Sequence, residues 1–282
     1  MQIGSERFMK KHLSTIILVF VFFVGLSVLL YPMVSDFYNQ KKQSKAIVNY
    51  EVLMEDLEPK DYTDYFKKAE NYNKKVKDFQ NSKISKNDLK GYNDILNLDG
   101  KGMIGYITID KIKVELPIYH SVSDVVLNNA AGHLEGTSLP IGGKSTHCVL
   151  SAHRGLPSAK LFTNLDKLRE NDIFTITVLD RVLTYRVDSV ATVLPQEVSR
   201  ISVEEGKDYC TLVTCTPYGI NTHRLLVRGV RISDEENRNR FNIATDAFRI
   251  DPIIVTPLVA VPMLGVLLVV LLVKYFKKKR DH

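Results

Sequence analysis

Hydrophobic and polar positions follow three different patterns along this chain. From Leu13 to Tyr31 and from Ile253 to Val273 there is no alternation. These are uncharged runs of 19 and 21 residues, close to the roughly 20 residues an α-helix needs to cross a bilayer. Between Ser35 and Asn97 polar residues dominate, chiefly Lys, Asp, Asn and Tyr. Apolar ones at Ile47, Tyr50, Val52, Leu53 and Leu57 keep a helical spacing that Pro59 interrupts. This middle stretch predicts helical stalk and lid material with a solvated charged face.

From Met103 onward the pattern changes to short β-branched or alternating runs. Strands are predicted at Met103–Ile109, Val114–Tyr119, Thr146–His153, Ile173–Leu179 and Val182–Val193, with Gly142-Gly143 and Asp180-Arg181 as turns. A hairpin follows: Tyr209–Cys215 and Leu225–Ile232 read as strands, with Pro217, Gly219 and Asn221 in the loop between them. Seven or eight strands of this kind make a mainly β chain and a closed or nearly closed barrel. One helix is expected to interrupt them at Ser158–Arg169, capped by Ser158 and with Leu161, Phe162, Leu165 and Leu168 on its apolar face.

Composition alters this picture only at the chain ends. The formal charge of +6 could suggest a nucleic-acid surface, but residues 1–12 and 252–282 hold eight basic and two acidic residues, which leaves the middle neutral. Basic residues lie outside both apolar spans, so the positive-inside rule places both termini in the cytoplasm and the intervening region outside the membrane. The first span is longer than the apolar core of a signal peptide and no Ala-x-Ala site follows it. An uncleaved signal anchor is therefore expected. Pro257, Pro262 and Gly265 in the second span are tolerated by membrane helices.

Cys148, Cys210 and Cys215 are too few for a disulfide framework, and their odd number leaves at least one free thiol. Cys215 closes one hairpin strand and Arg224 opens the next, so antiparallel pairing brings a nucleophile and a fixed cation to one end, with facing Cβ atoms about 5 Å apart. His153 stands where the upstream strand breaks into Arg154-Gly155-Leu156-Pro157. It is a better proton-transfer candidate than the mid-strand His147. Strand parity opposes Cys148 to His153 and Cys210 to Cys215, which assigns Cys148 and Cys210 to packing inside the barrel.

Thr211-Leu212-Val213-Thr214-Cys215, Arg224 nine residues on, and His153 at an upstream strand end resemble the signature of the sortases, membrane-anchored cysteine transpeptidases of Gram-positive bacteria. Gly105-Tyr106-Ile107, Leu116-Pro117-Ile118-Tyr119-His120, Gly132-His133-Leu134-Glu135-Gly136, Ser151-Ala152-His153-Arg154-Gly155 and Thr216-Pro217-Tyr218-Gly219 are similar to the pilus-building class C. The resemblance implies a closed eight-stranded barrel with N-terminal helices and two transmembrane helices, and no cofactor or metal. It further implies that Cys215 attacks the Thr-Gly bond of a Leu-Pro-x-Thr-Gly-like sorting signal, that His153 protonates the leaving amine and deprotonates the incoming one, and that Arg224 stabilises the oxyanion. Thr214 and Thr216 flank the nucleophile as expected substrate contacts. The implied partners are pilin or surface-protein sorting signals and a lysine amine of a second pilin.

The chain then divides into a cytoplasmic N-terminus (1–12), a signal anchor (13–31), a stalk and lid region (32–101) and a catalytic barrel (102–233). A linker (234–252), a second transmembrane helix (253–273) and a basic cytoplasmic tail (274–282) complete it. One departure stands out: residues 71–97 hold no Asp-Pro-aromatic anchor of the kind class C lids carry. A lid that is weakly held, or that leaves Cys215 open, is expected. Rival readings are anchoring of surface proteins to a cell-wall precursor, a non-catalytic tethered barrel that only binds, and a metal site at His147, Cys148 and His153 or at Cys210, Cys215 and His223. Neither of the last two spacings matches a common zinc pattern.

Overall fold

The structure, a computed structural model, describes residues 2–233 together with 262–266, 268–270 and 273. The expected linker and basic tail lie outside the described residues, as does most of the second apolar span, whose described positions are helical. Two compact units divide the chain, Met1–Phe37 with Thr245–His282, and Tyr38–Ala244.

The first unit contains the start of helix α1, Gln2–Glu55, which runs on without a break through Pro32. It includes an 18-residue window of mean hydropathy 2.6, long and apolar enough to cross a membrane. Leu13, Phe20, Val21 and Phe23 are exposed along it, as a lipid-facing helix requires.

In the second unit the end of α1 becomes amphipathic. Gln43, Ile47 and Tyr50 recur at helical spacing and are buried, whereas Val52 and Leu53 remain exposed. The Tyr50 hydroxyl donates to Ile104 O (2.9 Å) and accepts from Leu179 N (3.0 Å), tying the helix to the barrel. Pro59 opens a second helix, α2 (Pro59–Gln80), instead of merely ending the first. Its fixed φ and missing N–H suit the first helical turn. Phe66, Ala69, Tyr72 and Val76 form its buried stripe.

Eight strands follow: β1 Met103–Ile109, β2 Val114–His120, β3 Ala131–His133, β4 Thr146–Ser151, β5 Ile173–Val178, β6 Arg181–Val193, β7 Asp208–Thr216 and β8 His223–Arg231. They close as a barrel in the order β1-β2-β3-β4-β7-β8-β6-β5, with β5 returning to β1. β4 and β7 run parallel at its centre and β8 runs antiparallel to both β7 and β6. Gly229 lets β8 approach the stacked rings of Phe174 and Tyr185, since a Cβ there would stand 2.7 Å from Phe174.

Two expectations need correction. The helix at Ser158–Arg169 does not form: only a 3-10 turn at Leu165–Lys167 is present, and Leu161 takes a left-handed φ of 41°. The apolar residues Leu161, Phe162, Leu165 and Leu168 are nonetheless buried, because the segment is pinned as a loop by a bond from Phe162 N to His153 O (3.1 Å) and by a Leu156–Ala159 bridge. Strand β3 went unforeseen because three residues are too few to show alternation.

Residues 71–97 are also held more firmly than expected. Asn73 exchanges two hydrogen bonds with the backbone of Leu139, and Gln80 bonds Gly136 O and Val203 N. Leu89, Tyr92 and Leu96 are buried. Among the described residues, the hydrogen bonds of this stretch to the barrel reach 102, 121, 133–139 and 203–205, and none reaches His153, Cys215 or Arg224.

Candidate active site

The strands that carry or lead to the candidate residues, β4, β7 and β8, are neighbours in the barrel. In the β7–β8 ladder Cys215 is paired directly with Arg224, and Thr216 with His223. In the parallel β4–β7 ladder Ser151 is paired with Val213, and Ala152 N continues the pattern to Val213 O at 3.2 Å. His153 follows two residues after Ser151, past the last paired position of β4, and the same register continued that far would bring it level with Cys215. The sequence supplies this geometry simply: β-branched runs on both strands keep the register up to the loop, and the loops then free each functional side chain.

Cys215, His153 and Arg224 are all half-buried, open to substrate yet partly shielded from water. Cys215 is a free thiol. The Arg224 guanidinium donates through Nη1 to Asn221 O (3.1 Å) and His223 O (3.0 Å), which curls it over the β7–β8 loop. Among the described residues it has no carboxylate partner, so its charge remains available for an anion or a polarised carbonyl.

The loop after His153 is fastened at several points. Arg154 Nη2 pairs with Asp166 Oδ2 at 2.6 Å, Gly155 N donates to Thr163 Oγ1 at 3.1 Å, and Asn39 Nδ2 of α1 donates to Ser158 O at 2.7 Å. Gly155 has a φ of +79° and lies under the Tyr218 ring, where a Cβ would come within 2.9 Å. No other residue satisfies both demands.

The structure corrects the reading of Thr214. Its side chain is 1% exposed, and its hydroxyl donates to Ala152 O at 2.8 Å. It therefore holds β7 against β4 from inside the barrel and offers nothing to a substrate in the cleft. The parity that turns Cys210 inward turns Thr214 inward too. Thr216, half-buried at the last position of β7, is paired with His223 of β8.

His147, set aside as a base, is buried and fastens the β6–β7 loop. Its Nδ1 lies 2.8 Å from Ser202 O and its Nε2 2.7 Å from Thr211 Oγ1. Burial holds its pKa below the ordinary imidazole range, against the upward pull of the Ser202 bond. Arg228, paired with Asp188 (2.9 Å) and Glu204 (3.2 Å), secures the same loop. A cavity of about 250 Å³ under that loop is lined by Ala191, Thr211, Leu226 and Arg228 among others. Thr211 shares its strand face with Cys215, and Leu226 and Arg228 share theirs with Arg224. His147 and Cys148 occupy opposite faces of β4, so the metal cluster considered for them is split.

Comparison with known proteins accords with this geometry. Residues 107–232 match the Sortase domain family. Sortase A of Streptococcus agalactiae is 31% identical over 117 residues, which cover 40% of this chain and 47% of that protein, so the match spans about half of its length. Among solved structures, sortase C1 of Streptococcus agalactiae is 46% identical with a TM-score of 0.63, covering 67% of this chain and 99% of that one. The Clostridium perfringens sortase C solved with the C-terminal cell wall sorting motif is 39% identical with a TM-score of 0.59, at 67% and 99% coverage. Barrel fold, sequence identity and near-complete coverage of these structures agree: the chain belongs to the sortase family of cysteine transpeptidases, within class C.

Proposed function

We propose that Cys215 is the nucleophile of a pilus-type transpeptidase that cleaves a Leu-Pro-x-Thr-Gly-like sorting signal between Thr and Gly. The thiolate sulfur bonds to the Thr carbonyl carbon, the C–N bond breaks, and His153 gives the departing amine its proton. A thioester remains on Cys215. A pilin lysine amine, deprotonated by the now neutral His153, then attacks the same carbon and regenerates the thiolate as an isopeptide bond forms.

Arg224 faces the carbonyl oxygen as it gains charge in both steps. Guanidinium suits this role because it stays protonated and presents fixed donors. The observation that carries the proposal is the direct pairing of Cys215 with Arg224, with His153 just past the end of the neighbouring strand β4. The likeness to a sortase C solved with a sorting motif supports the substrate class.

Incubation with a labelled Leu-Pro-x-Thr-Gly peptide library should give a covalent adduct on Cys215, seen by mass spectrometry, and Cys215→Ala should lose both adduct and cleavage. Adducts that persist on Cys148 or Cys210 in the variant, or cleavage that survives it, would sink the assignment. Arg224→Lys should lower kcat/KM about 100-fold or more, the size expected when a preorganised oxyanion donor is lost.

The full chain is proposed to cross the membrane twice with the barrel outside and both termini in the cytoplasm, as the flanking charges require. A tag at the C-terminus should then resist added protease in intact protoplasts. Its digestion would leave a single anchor.

A further inference from the structure

Two thiols that the proposed chemistry leaves unused sit face to face beneath the site. Cys148 of β4 and Cys210 of β7 are direct partners in the parallel ladder. They are 2% and 0% exposed, and each stands five residues before the residue proposed to act at its strand's end, His153 and Cys215. Neighbouring strands lie about 4.8 Å apart, within the Cα separation of about 4.4–6.8 Å that a disulfide spans. Both side chains point into the barrel. Cys215 belongs to the opposite face of β7, so it cannot exchange with Cys210 without the strand turning over.

His133 of β3, paired with Leu150 two residues along β4, is the imidazole nearest this pair in the sheet. The His133 ring is itself fixed, with Nδ1 2.8 Å from Tyr92 OH and Nε2 2.9 Å from Ser138 O. Burial alone raises both thiols. For Cys148 the bonds from Cys210 and His133 outweigh it and hold the group low, whereas Cys210 is pushed well up.

We infer that Cys148 and Cys210 are a disulfide site that staples β4 to β7 inside the barrel, formed by exchange with an oxidant disulfide, either a small molecule or a thiol–disulfide oxidoreductase. Cys148, losing its proton, attacks the oxidant disulfide and releases one thiol. Cys210, losing its proton, then attacks the mixed disulfide at the Cys148 sulfur and releases the second. The protein gives up two electrons and two protons in all, and the oxidant gains the electrons as two thiols. Burial puts the reaction during folding, before β5 closes the barrel on β1. The bridge closes a chain segment of 62 residues, long enough to restrict the unfolded ensemble substantially. It also fixes the relative height of the two strands whose ends carry His153 and Cys215.

The test is differential alkylation of the full chain taken from membranes of a Gram-positive host. Free thiols are blocked with N-ethylmaleimide in denaturant at lysis, the protein is then reduced, and newly exposed thiols are labelled with iodoacetamide. Cys148 and Cys210 should carry the second label and Cys215 the first, and an unreduced digest should contain the Cys148 and Cys210 peptides joined. Reductant should lower the thermal midpoint of the oxidised protein by several degrees. N-ethylmaleimide on Cys148 and Cys210, or a bridge from either of them to Cys215, overturns the inference.

Discussion

Thr214 shows how a single hydroxyl can align two strands. Its bond to Ala152 O is buried, and the next residue on each strand is one of the pair proposed to act, Cys215 and His153. Thr214→Val keeps the shape and deletes the donor, leaving a buried carbonyl unpaired at a cost of about 1–3 kcal/mol. Thr214→Ser should recover most of the loss. Denaturant unfolding checks the stability, and steady-state kinetics with a sorting peptide should show kcat falling more than KM rises, because the substrate groove itself is unchanged. At His147 the expected effect is one of pH. Burial lowers its pKa in the folded state, so as pH falls below the ordinary value of about 6.5 the unfolded chain takes up the proton first. The stability is full above that value and declines as pH falls towards the depressed folded pKa. His120, lowered mainly by burial, acts in the same direction, while Asp208, raised mainly by burial, regains some stability at more acidic pH. His147→Gln should flatten the decline in unfolding free energy that sets in as pH falls below about 6.5. An unchanged slope would mean that His147 is not responsible for it.

At the scale of elements, the segment before the barrel is part of its wall. Tyr72, Val76, Leu89, Tyr92 and Leu96 are buried, and Tyr92 OH receives Ser121 N and meets His133. Leu96→Ala should therefore cost about 2–5 kcal/mol, as for other buried leucines, and leave the alkylation rate of Cys215 in the folded protein unchanged. Faster alkylation would instead make this stretch a cover over the thiol. The hold was not legible from the sequence because it rests on single polar side chains, Asn73 and Gln80, whose partners lie more than fifty residues away. The strands were legible because alternation is local: β1 runs over the residues its pattern marks, and β2, β4, β5, β6, β7 and β8 differ only at their ends. The segment 158–169 misled because its apolar spacing is helical while its backbone is committed elsewhere. Phe162 N is bonded to His153 O, and Leu161 adopts a conformation no helix accepts. Local pattern identified the buried residues there without identifying the path between them.

For the whole molecule, the Cys215–Arg224 pairing was legible because it lies within one hairpin, whereas His153 was marked only by its place where a strand breaks into a loop and by the family resemblance. The closed barrel was legible from the number of strands and from the family resemblance, but the pairing that closes it, β5 with β1 across more than sixty residues, was not. The same long-range assembly sets how little of the chain can fold alone. The unit Tyr38–Ala244 contains the end of α1, α2 and the barrel, and three tyrosines outside the strands, Tyr50, Tyr72 and Tyr92, hydrogen-bond to barrel backbone. A fragment of residues 38–233 should thus unfold cooperatively and cleave a sorting peptide without the apolar first unit. A fragment starting at residue 101 keeps every strand but uncovers the apolar surface that Tyr50, Phe66, Val76 and Leu96 now cover. It should melt well below the longer one or aggregate, since exposed patches of that kind drive association. Scanning calorimetry of the two fragments decides the matter. Equal midpoints would show that the helices only tether the barrel and add nothing to its stability.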